Sequence, residues 1–299
     1  MDFDKSNSSA KPFLKWAGGK RALLPEIYKR IPYFDGRYFE PFLGAGAALI
    51  SLPIDIPKIG NDFNGELIGV FKTIRDNTDE LIEELKKHRN TKEHFLRVRA
   101  WDRKEDYSAR SEIQKAARFI YLNKTCFNGL YRVNSSGQFN VPYGHQSKPE
   151  IYSRELLYRI SDILNGIDQS GNKVSARTIL KTGDYRNVTE MAKAGDFLYF
   201  DPPYDPLSTT ASFVSYQKEG FGRNEQLELR DELVRLTELR IPVLLSNSDT
   251  TFIRKIYRES GLFRLETIQV RRAISASASG RGMVPELFVS NYRELGIEI

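Results

Sequence analysis

A run of four apolar residues that ends at two prolines constrains this chain more than any other segment. Phe197–Phe200 is typical of a buried strand. Pro202 and Pro203 stop such a strand, because proline has a fixed φ and no N–H. The strand end therefore brings together the Asp201 carboxylate, bare carbonyl oxygens and the Tyr204 ring. Asp201 and the Pro202 carbonyl can accept both hydrogens of an exocyclic amino group while Tyr204 stacks on the base that carries it.

The composition is that of a globular enzyme, with 299 residues of which 40% are hydrophobic and 28% charged. This length predicts one large domain or one domain with a substantial insertion. The single cysteine, Cys126, excludes an internal disulfide and a cysteine-based zinc site, and the three histidines are too scattered for a metal-ligand pattern. We therefore expect no metal and a reducing cytoplasmic location. Apolar stretches of membrane-spanning length are absent from the sequence.

Positive charge is concentrated in the middle of the chain. Residues 86–132 hold thirteen Lys or Arg against five Asp or Glu, so the remainder of a chain whose net charge is +6 is slightly acidic. Such asymmetry is typical of a protein that binds a polyanion. Taken alone, it fits a solvated helical face equally well.

Strand and helix patterns alternate in the first and last thirds, which predicts an α/β fold with a mostly parallel sheet. Helices are predicted at 64–75 and from an Asn224 cap onwards, where Leu229, Leu233 and Leu236 form one stripe. The strand predictions are 37–43, 57–62, 178–181, 197–200, 243–246, 263–270 and 286–291.

The middle of the chain has helical rather than strand spacing. Helices are predicted at 78–88 and 111–122, the second with a capping box of Ser111 and Gln114. We therefore interpret 71–165 as a mainly helical insertion that separates 1–70 from 166–299.

Two glycine motifs near the amino terminus suit a nucleotide-like cofactor. Phe39–Gly46 is predicted to run from a strand into a G-x-G turn, and Asp62 closes the next strand, where a carboxylate can accept hydrogen bonds from ribose hydroxyls. The alternative for Asp62 is a helix N-cap. Leu49 replaces the third glycine of a dinucleotide fingerprint, which disfavours an NAD-type oxidoreductase. In the segment 15–20 (KWAGGK), Trp16 can pack on an adenine or a sulfonium, and Lys20 can pair with a carboxylate; a core tryptophan is the alternative.

Together these motifs resemble the Dam-type, α-class family of DNA adenine-N6 methyltransferases. The motifs occur in the family's order and span about residues 12–292. The overall pattern most resembles the GATC-specific adenine methyltransferase of DpnII-type restriction–modification systems. The matching segments are KWAGGK (15–20), FEPFLGAG (39–46), NDFN (61–64), NGLYRVNSSGQFNVPYG (128–144), DPPY (201–204) and SNSDT (246–250).

The resemblance implies a fold, a cofactor and roles for residues. The implied fold is the α/β, seven-stranded, Rossmann-like sheet of S-adenosylmethionine-dependent methyltransferases. A mainly helical DNA-recognition domain is inserted into it, with a DNA-reading hairpin at 127–146. Asp201, Pro202 and Tyr204 are the implied catalytic group. Cofactor binding is implied for Trp16, Lys20, Glu40, Phe42, Gly44, Gly46, Asp62 and Asp201.

The resemblance also implies DNA recognition by Lys15, Phe127, Asn128, Leu130, Arg132, Pro142 and Gln146. Phe127 stands where some relatives carry a tyrosine that inserts into the duplex, although an apolar ring can still act as a wedge. Gln146 departs from the tyrosine that many relatives carry at its position. Arg132 suits guanine, because a guanidinium donates to both O6 and N7; a phosphate clamp is the alternative.

The implied reaction is methyl transfer to the N6 atom of a flipped-out adenine in duplex DNA, without a metal. A monomer is expected, since a palindrome can be methylated one strand at a time, and a cognate endonuclease that acts separately is left open. Rival interpretations are a methyltransferase acting on RNA or protein glutamine, and a DNA-binding regulator without catalysis. A closing loop is predicted at 208–221, and a phosphate-binding stretch between Arg271 and Arg281.

Overall fold

The computed structural model describes residues 10–16, 18–206, 221–271 and 283–298. The predicted closing loop and the stretch between Arg271 and Arg281 fall almost entirely outside the described residues. The strands are β1 (Tyr38–Glu40), β2 (Lys58–Asp62), β3 (Ile179–Thr182), β4 (Phe197–Phe200), β5 (Val243–Ser248), β6 (Arg264–Arg271) and β7 (Met283–Ser290). The α-helices are α1 (Leu24–Tyr28), α2 (Gly65–Asp76), α3 (Thr78–Leu85), α4 (Lys92–Arg99), α5 (Glu112–Thr125), α6 (Arg154–Asn165), α7 (Arg186–Thr189), α8 (Arg223–Glu238), α9 (Thr251–Glu259) and α10 (Tyr292–Leu295).

The described strands form a seven-stranded sheet in the order β3-β2-β1-β4-β5-β7-β6. The β2–β3, β1–β4 and β4–β5 pairs are parallel, and β7 pairs antiparallel with both β5 and β6. This confirms the predicted α/β class and its seven-stranded sheet. Every residue of β4 is fully buried, as expected of a strand with apolar side chains on both faces.

The chain divides into two compact units. One comprises Ala22–Phe42 and Val188–Ile299, and the other comprises Asp2–Arg21 and Leu43–Asn187. In the first unit, α8 packs on β5 and α9 packs on β6. In the second unit, α2 packs against α5 and α6, and α3 packs against α5. The division of the chain at 71 and 165 into catalytic and recognition domains stays a prediction.

Several predicted element boundaries differ from the observed ones for local reasons. The strand predicted at 37–43 is only Tyr38–Glu40, because Pro41 has no N–H and the Leu43 N–H donates to the Asn61 carbonyl at 2.7 Å. The predicted Asn224 cap is wrong. The Glu225 carboxylate accepts from the Gly222 N–H at 2.7 Å, and the helix begins at Arg223.

Other predictions about the helices are confirmed. The Leu229, Leu233 and Leu236 side chains are buried on α8. Ser111 and Gln114 form the expected capping box at the start of α5, with the Gln114 N–H donating to Ser111 Oγ at 3.2 Å. The helix predicted at 78–88 ends at Leu85.

A buried ion pair organises the second unit. The Arg118 side chain on α5 is 1% exposed, and it donates to Asp102 Oδ2 at 2.5 Å and to the Val98 and Arg99 carbonyls. The same Asp102 oxygen accepts from the Phe139 N–H at 2.7 Å. The pair therefore joins α5, the end of α4 and the segment that follows.

We predict that Arg118→Ala lowers the free energy of unfolding by about 3 kcal/mol, because it removes the buried cation at Asp102 Oδ2 and the donor to the Val98 and Arg99 carbonyls, although Arg103 still pairs with Asp102 Oδ1 at 2.5 Å. Urea denaturation measures the change. The matched control is Lys86→Ala, which breaks the exposed pair with Glu83 (2.6 Å) and should cost less than about 1 kcal/mol. Equal losses from the two variants would contradict the structural role of Arg118.

Candidate active site and candidate nucleic-acid interface

The end of β4 holds the Asp201 carboxylate through the neighbouring strand. Ser246 Oγ on β5 donates to Asp201 Oδ1 at 3.1 Å. The Tyr199 hydroxyl lies 2.8 Å from Ser246 Oγ, and since that serine's only proton goes to Asp201, the tyrosine is the donor. Tyr199 and Ser246 are fully buried. A buried relay of two hydroxyls therefore orients the half-buried carboxylate.

A second buried network holds the proline pair. The Gln226 amide on α8 donates to the Pro203 carbonyl at 2.8 Å, and the Asn247 amide donates to Gln226 Oε1 at 3.1 Å. Gln226 and Asn247 are buried. Gln226 thus binds the second proline's carbonyl, whereas the Pro202 carbonyl has no donor among the described side chains. Sequence reasoning missed Gln226, which lies 23 residues away from Pro203.

The Tyr204 ring is held at its far end. Its hydroxyl donates to Glu286 Oε1 on β7. Burial raises the pKa of Tyr204 well above its ordinary value, and the charges of Asp201 and Glu286 raise it further. The ring therefore stays neutral near pH 7, which suits a surface for stacking. Asp205, which follows, is buried and accepts from Thr250 Oγ1 at 2.7 Å.

Two predicted cofactor residues lie in the same unit as Asp201. Glu40 at the end of β1 is buried and accepts from the Tyr38 hydroxyl at 3.2 Å. The Phe42 ring centroid lies 6.5 Å from that of Phe200 and 5.6 Å from that of Phe221. Phe42 is therefore part of an aromatic cluster beside the end of β4.

The other unit contains the glycine turn and its carboxylate. Asp62 Oδ2 accepts from the Gly44 N–H at 2.8 Å, and Asp62 Oδ1 accepts from the Asn64 N–H at 2.9 Å. Burial raises the pKa of Asp62, although these two bonds oppose the rise. The helix N-cap is Asn64, whose side chain accepts from Leu67, so the alternative role of Asp62 as the N-cap is wrong. Each Asp62 oxygen keeps acceptor capacity, which fits ribose hydroxyls.

The glycines of this turn are required by conformation and contact. Gly44 and Gly46 have φ angles of +50° and +67°. A Cβ atom on Gly44 would lie 3.2 Å from the Trp16 ring, and one on Gly46 would lie 3.0 Å from the Phe71 ring. The Trp16 ring is half-buried and stacks on Tyr131 and Phe119, with centroid distances of 5.6 and 6.2 Å. Turn, carboxylate and indole thus fit an adenosine-like group.

The predicted hairpin is built from isolated bridges rather than long strands. Cys126 pairs with Tyr143, and Val133 pairs with Phe139. The Phe127 N–H donates to the Pro142 carbonyl at 2.9 Å, and Asn128 at the turn has a φ of +54°. The Phe127 side chain is 52% exposed and that of Leu130 is 37% exposed. Two apolar side chains on a basic segment therefore face solvent, as a wedge between bases would require.

The polar residues of the hairpin bind one another or Lys15. Arg132 Nε donates to Asn140 Oδ1 at 2.7 Å, which orients the guanidinium plane. Lys15 Nζ donates to Gln146 Oε1 at 3.4 Å. The remaining predicted residue, Lys20, begins a short 3-10 helix and donates from Nζ to the Gly18 carbonyl at 3.0 Å.

A pair of histidines packs on Tyr121 of α5. His88 Nδ1 lies 3.0 Å from His94 Nε2, and the His88 ring stacks on Tyr121 with centroids 4.5 Å apart. Burial lowers the pKa of His88 to about 4, with a further contribution from His94. The sequence did not predict this pairing of two histidines. In the described part of the chain, no group of three or more His, Cys, Asp or Glu is suited to hold a metal.

Comparison with known proteins identifies the family. A family profile described as D12 class N6 adenine-specific DNA methyltransferase matches residues 16–274. The chain is 41% identical to a type II methyltransferase, M1.LlaDCHI, of Lactococcus lactis subsp. cremoris, over 96% of this chain and 98% of that protein. It is 36% identical to the type II methyltransferase M.MjaIII of Methanocaldococcus jannaschii, over 94% and 99%. A DNA adenine methylase of Escherichia coli K12 is 33% identical, over 93% and 94%.

No helix in the described ranges has the length and apolar character that a membrane crossing requires.

We predict that His88 makes the fold less stable as the pH falls. The pKa of His88 in the folded state lies below its unfolded value near 6.5. The stability that depends on neutral His88 is therefore fully present above pH 6.5 and is lost as the pH falls towards 4. Between pH 7 and pH 5 the loss should be about 2 kcal/mol. Urea unfolding at both pH values measures it.

His88→Gln should remove this part of the pH dependence, because glutamine does not titrate. The same measurements on His145→Gln, a change at an exposed histidine, serve as the control for the substitution itself. An identical slope in the wild type and His88→Gln would refute the assignment.

Proposed function

We propose that this chain, which belongs to the D12 class of N6 adenine-specific DNA methyltransferases, transfers a methyl group from S-adenosylmethionine to the adenine of GATC in duplex DNA. The observation that carries the proposal is the held platform at the end of β4, where Ser246 orients Asp201 and Gln226 binds Pro203. That platform presents a carboxylate and the Pro202 carbonyl beside a neutral aromatic ring.

The target adenine must leave the duplex to reach such a platform, at a cost of a few kcal/mol. We infer that Phe127 and Leu130, both exposed on the basic hairpin, fill the space that the base vacates. Arg132 is proposed to read guanine with its two terminal nitrogens, since Asn140 already binds Nε. Lys15, Asn128, Pro142 and Gln146 complete the proposed reading surface.

Asp62 and the Gly44–Gly46 turn are proposed to hold the adenosine part of the cofactor, with Trp16 and Lys20 at its other groups. Glu40 and Phe42, in the unit that contains Asp201, are also proposed to bind the cofactor. S-adenosylmethionine, when bound, supplies a methyl group activated on a sulfonium. Asp201 and the Pro202 carbonyl accept the two N6 hydrogens and stabilise the positive charge that grows on N6. The N6 atom gains one bond to the methyl carbon as the bond of that carbon to sulfur breaks and leaves a neutral thioether. The N6 proton, which becomes acidic only after methylation, is then released to water past the Asp201 carboxylate.

Tyr204 contributes through position rather than charge. Its ring is proposed to stack on the flipped adenine, while its hydroxyl, bound to Glu286, fixes the ring plane. Because burial keeps the pKa of this phenol well above its ordinary value, Tyr204 is not a proton acceptor near neutral pH. The chemistry that we propose uses the Asp201 carboxylate, the Pro202 carbonyl and the Tyr204 ring, and it uses no metal.

DNA is the proposed partner, and action as a monomer in the cytoplasm is proposed because each strand of a palindrome can be methylated in a separate event. Type II methyltransferases among the relatives raise the question of a separate cognate endonuclease. The chain itself needs no second protein for the proposed reaction.

The experiment that tests the proposal measures transfer of labelled methyl groups to two duplexes, one with a single GATC and one with those four bases scrambled. The proposal predicts N6-methyladenine in the first duplex alone. Equal labelling of both would contradict the specificity. Labelling of neither, with RNA labelled instead, would contradict the substrate.

We predict that Asp201→Ala lowers the single-turnover rate of methyl transfer by at least about 1,000-fold, because N6 loses both an acceptor and a stabilising charge. DNA affinity, measured by fluorescence anisotropy, should change little, since the reading surface is untouched. The control is Asp231→Ala on α8, which removes an exposed carboxylate and should leave the rate unchanged. A near-normal rate for Asp201→Ala would contradict the proposed role of this carboxylate.

A further inference from the structure

The buried Asn123 amide joins two segments that lie far apart in the sequence. Asn123 on α5 is 1% exposed. Its Oδ1 accepts from the Lys15 N–H at 2.9 Å, and its Nδ2 donates to the Lys15 carbonyl at 2.7 Å and to the Gly129 carbonyl at 2.9 Å. Both amide hydrogens are therefore used, one on each segment. Lys15 lies 108 residues from Asn123, which is why the sequence pattern did not reveal this contact.

The Lys15 side chain lies directly across the turn that contains Gly129. Gly129 has a φ of +63°, and a Cβ atom on it would lie 2.4 Å from Lys15 Cδ. The ammonium of Lys15 continues to Gln146 at 3.4 Å. The absence of a side chain at position 129 therefore lets Lys15 cross the hairpin and reach its far end.

The residue after Lys15 makes a second connection between the same segments. The Trp16 ring stacks on the Tyr131 ring of the hairpin at 5.6 Å. The Tyr131 hydroxyl donates to Glu66 Oε2 at 3.1 Å, and Glu66 lies in the first turn of α2, four residues after Asp62. The hairpin is thus attached to the Lys15–Trp16 segment through a ring stack and to α2 through a carboxylate.

We propose that Asn123 is a positioning residue for sequence discrimination, which fixes Lys15 and the hairpin turn in one register so that they read the DNA site together. The inference rests on the proposed function, because it assigns Lys15 and the hairpin to base recognition. An amide is required rather than a carboxylate, since two of its three bonds are donated to carbonyl oxygens. The proposal concerns the difference between right and wrong DNA sites rather than the methyl-transfer step.

The first test is Asn123→Asp, which keeps the shape and the acceptor for the Lys15 N–H but removes both donors. The measurement is kcat/KM for methyl transfer to the GATC duplex, divided by kcat/KM for a duplex in which the guanine of the site is replaced. We expect this ratio to fall by about tenfold or more, as for loss of one well-formed base contact. A purely structural role would lower the melting temperature and leave the ratio unchanged.

The control is Asn165→Asp in the same unit. The Asn165 amide also donates two bonds to carbonyls, to Arg75 at 2.7 Å and to Ser161 at 3.0 Å, but it contacts neither Lys15 nor the hairpin. It should lower stability and leave the ratio at the wild-type value.

A second variant tests the proposal without changing the buried amide. Gly129→Ala places a methyl group on the path of the Lys15 side chain and should lower the ratio in the same direction. Unchanged ratios in both Asn123→Asp and Gly129→Ala would overturn the proposal. If the proposed function is wrong, the wild type itself will show no preference between the two duplexes. If only the role of Asn123 is wrong, the wild type will keep its preference and the variants will match it.

Discussion

The two prolines after β4 leave backbone carbonyls at a buried strand end without the ladder that would normally bind them. Backbone acceptors in such a place must be satisfied or directed at a ligand. Gln226 satisfies the Pro203 carbonyl, and Ser246 orients the adjacent Asp201 carboxylate. Each of these two side chains is fully buried and hydrogen-bonded in its turn, to Asn247 and to Tyr199. The geometry at Asp201 and Pro202 is consequently set by core residues, which is the preorganisation that charge stabilisation requires.

In the second unit, the hairpin at 127–146 also has backbone groups that are bound by buried or partly buried side chains. A hairpin with only two bridges cannot hold its shape through strand pairing alone, and its backbone is bound by side chains from the helices. Arg103 donates to the Phe139 carbonyl at 2.7 Å, and Asp102 accepts from the Phe139 N–H at the same distance. Asn123 binds the other side of the turn. Charged residues in this basic region are therefore divided between supporting the hairpin and remaining available to a polyanion.

The sequence predicts the strand end and the glycine turns well because each is encoded by consecutive residues. Pro202, Pro203 and Gly44 act through their own backbone, and Asp62 is marked by its place directly after a strand pattern although its bond to Gly44 spans 18 residues. The residues that sequence reasoning missed, Gln226, Asn123 and Glu66, act across 23 to 108 positions, and nothing local distinguishes them from other polar residues on helices. The Asn224 error has a different, local origin, since the carboxylate of the next residue, Glu225, caps the helix from Gly222.

We propose that the target adenine leaves the duplex and reaches the Asp201–Pro202 platform once the hairpin has bound its site. This is tested by replacing the target adenine of a GATC duplex with 2-aminopurine, whose fluorescence rises when it leaves the base stack, in the presence of a non-reactive cofactor analogue. Fluorescence should rise with the wild type and with Asp201→Ala, and the rise should be lost with Arg132→Ala. Unchanged fluorescence with the wild-type protein, despite bound DNA, would mean that the base stays in the helix and that the proposed base flipping is wrong.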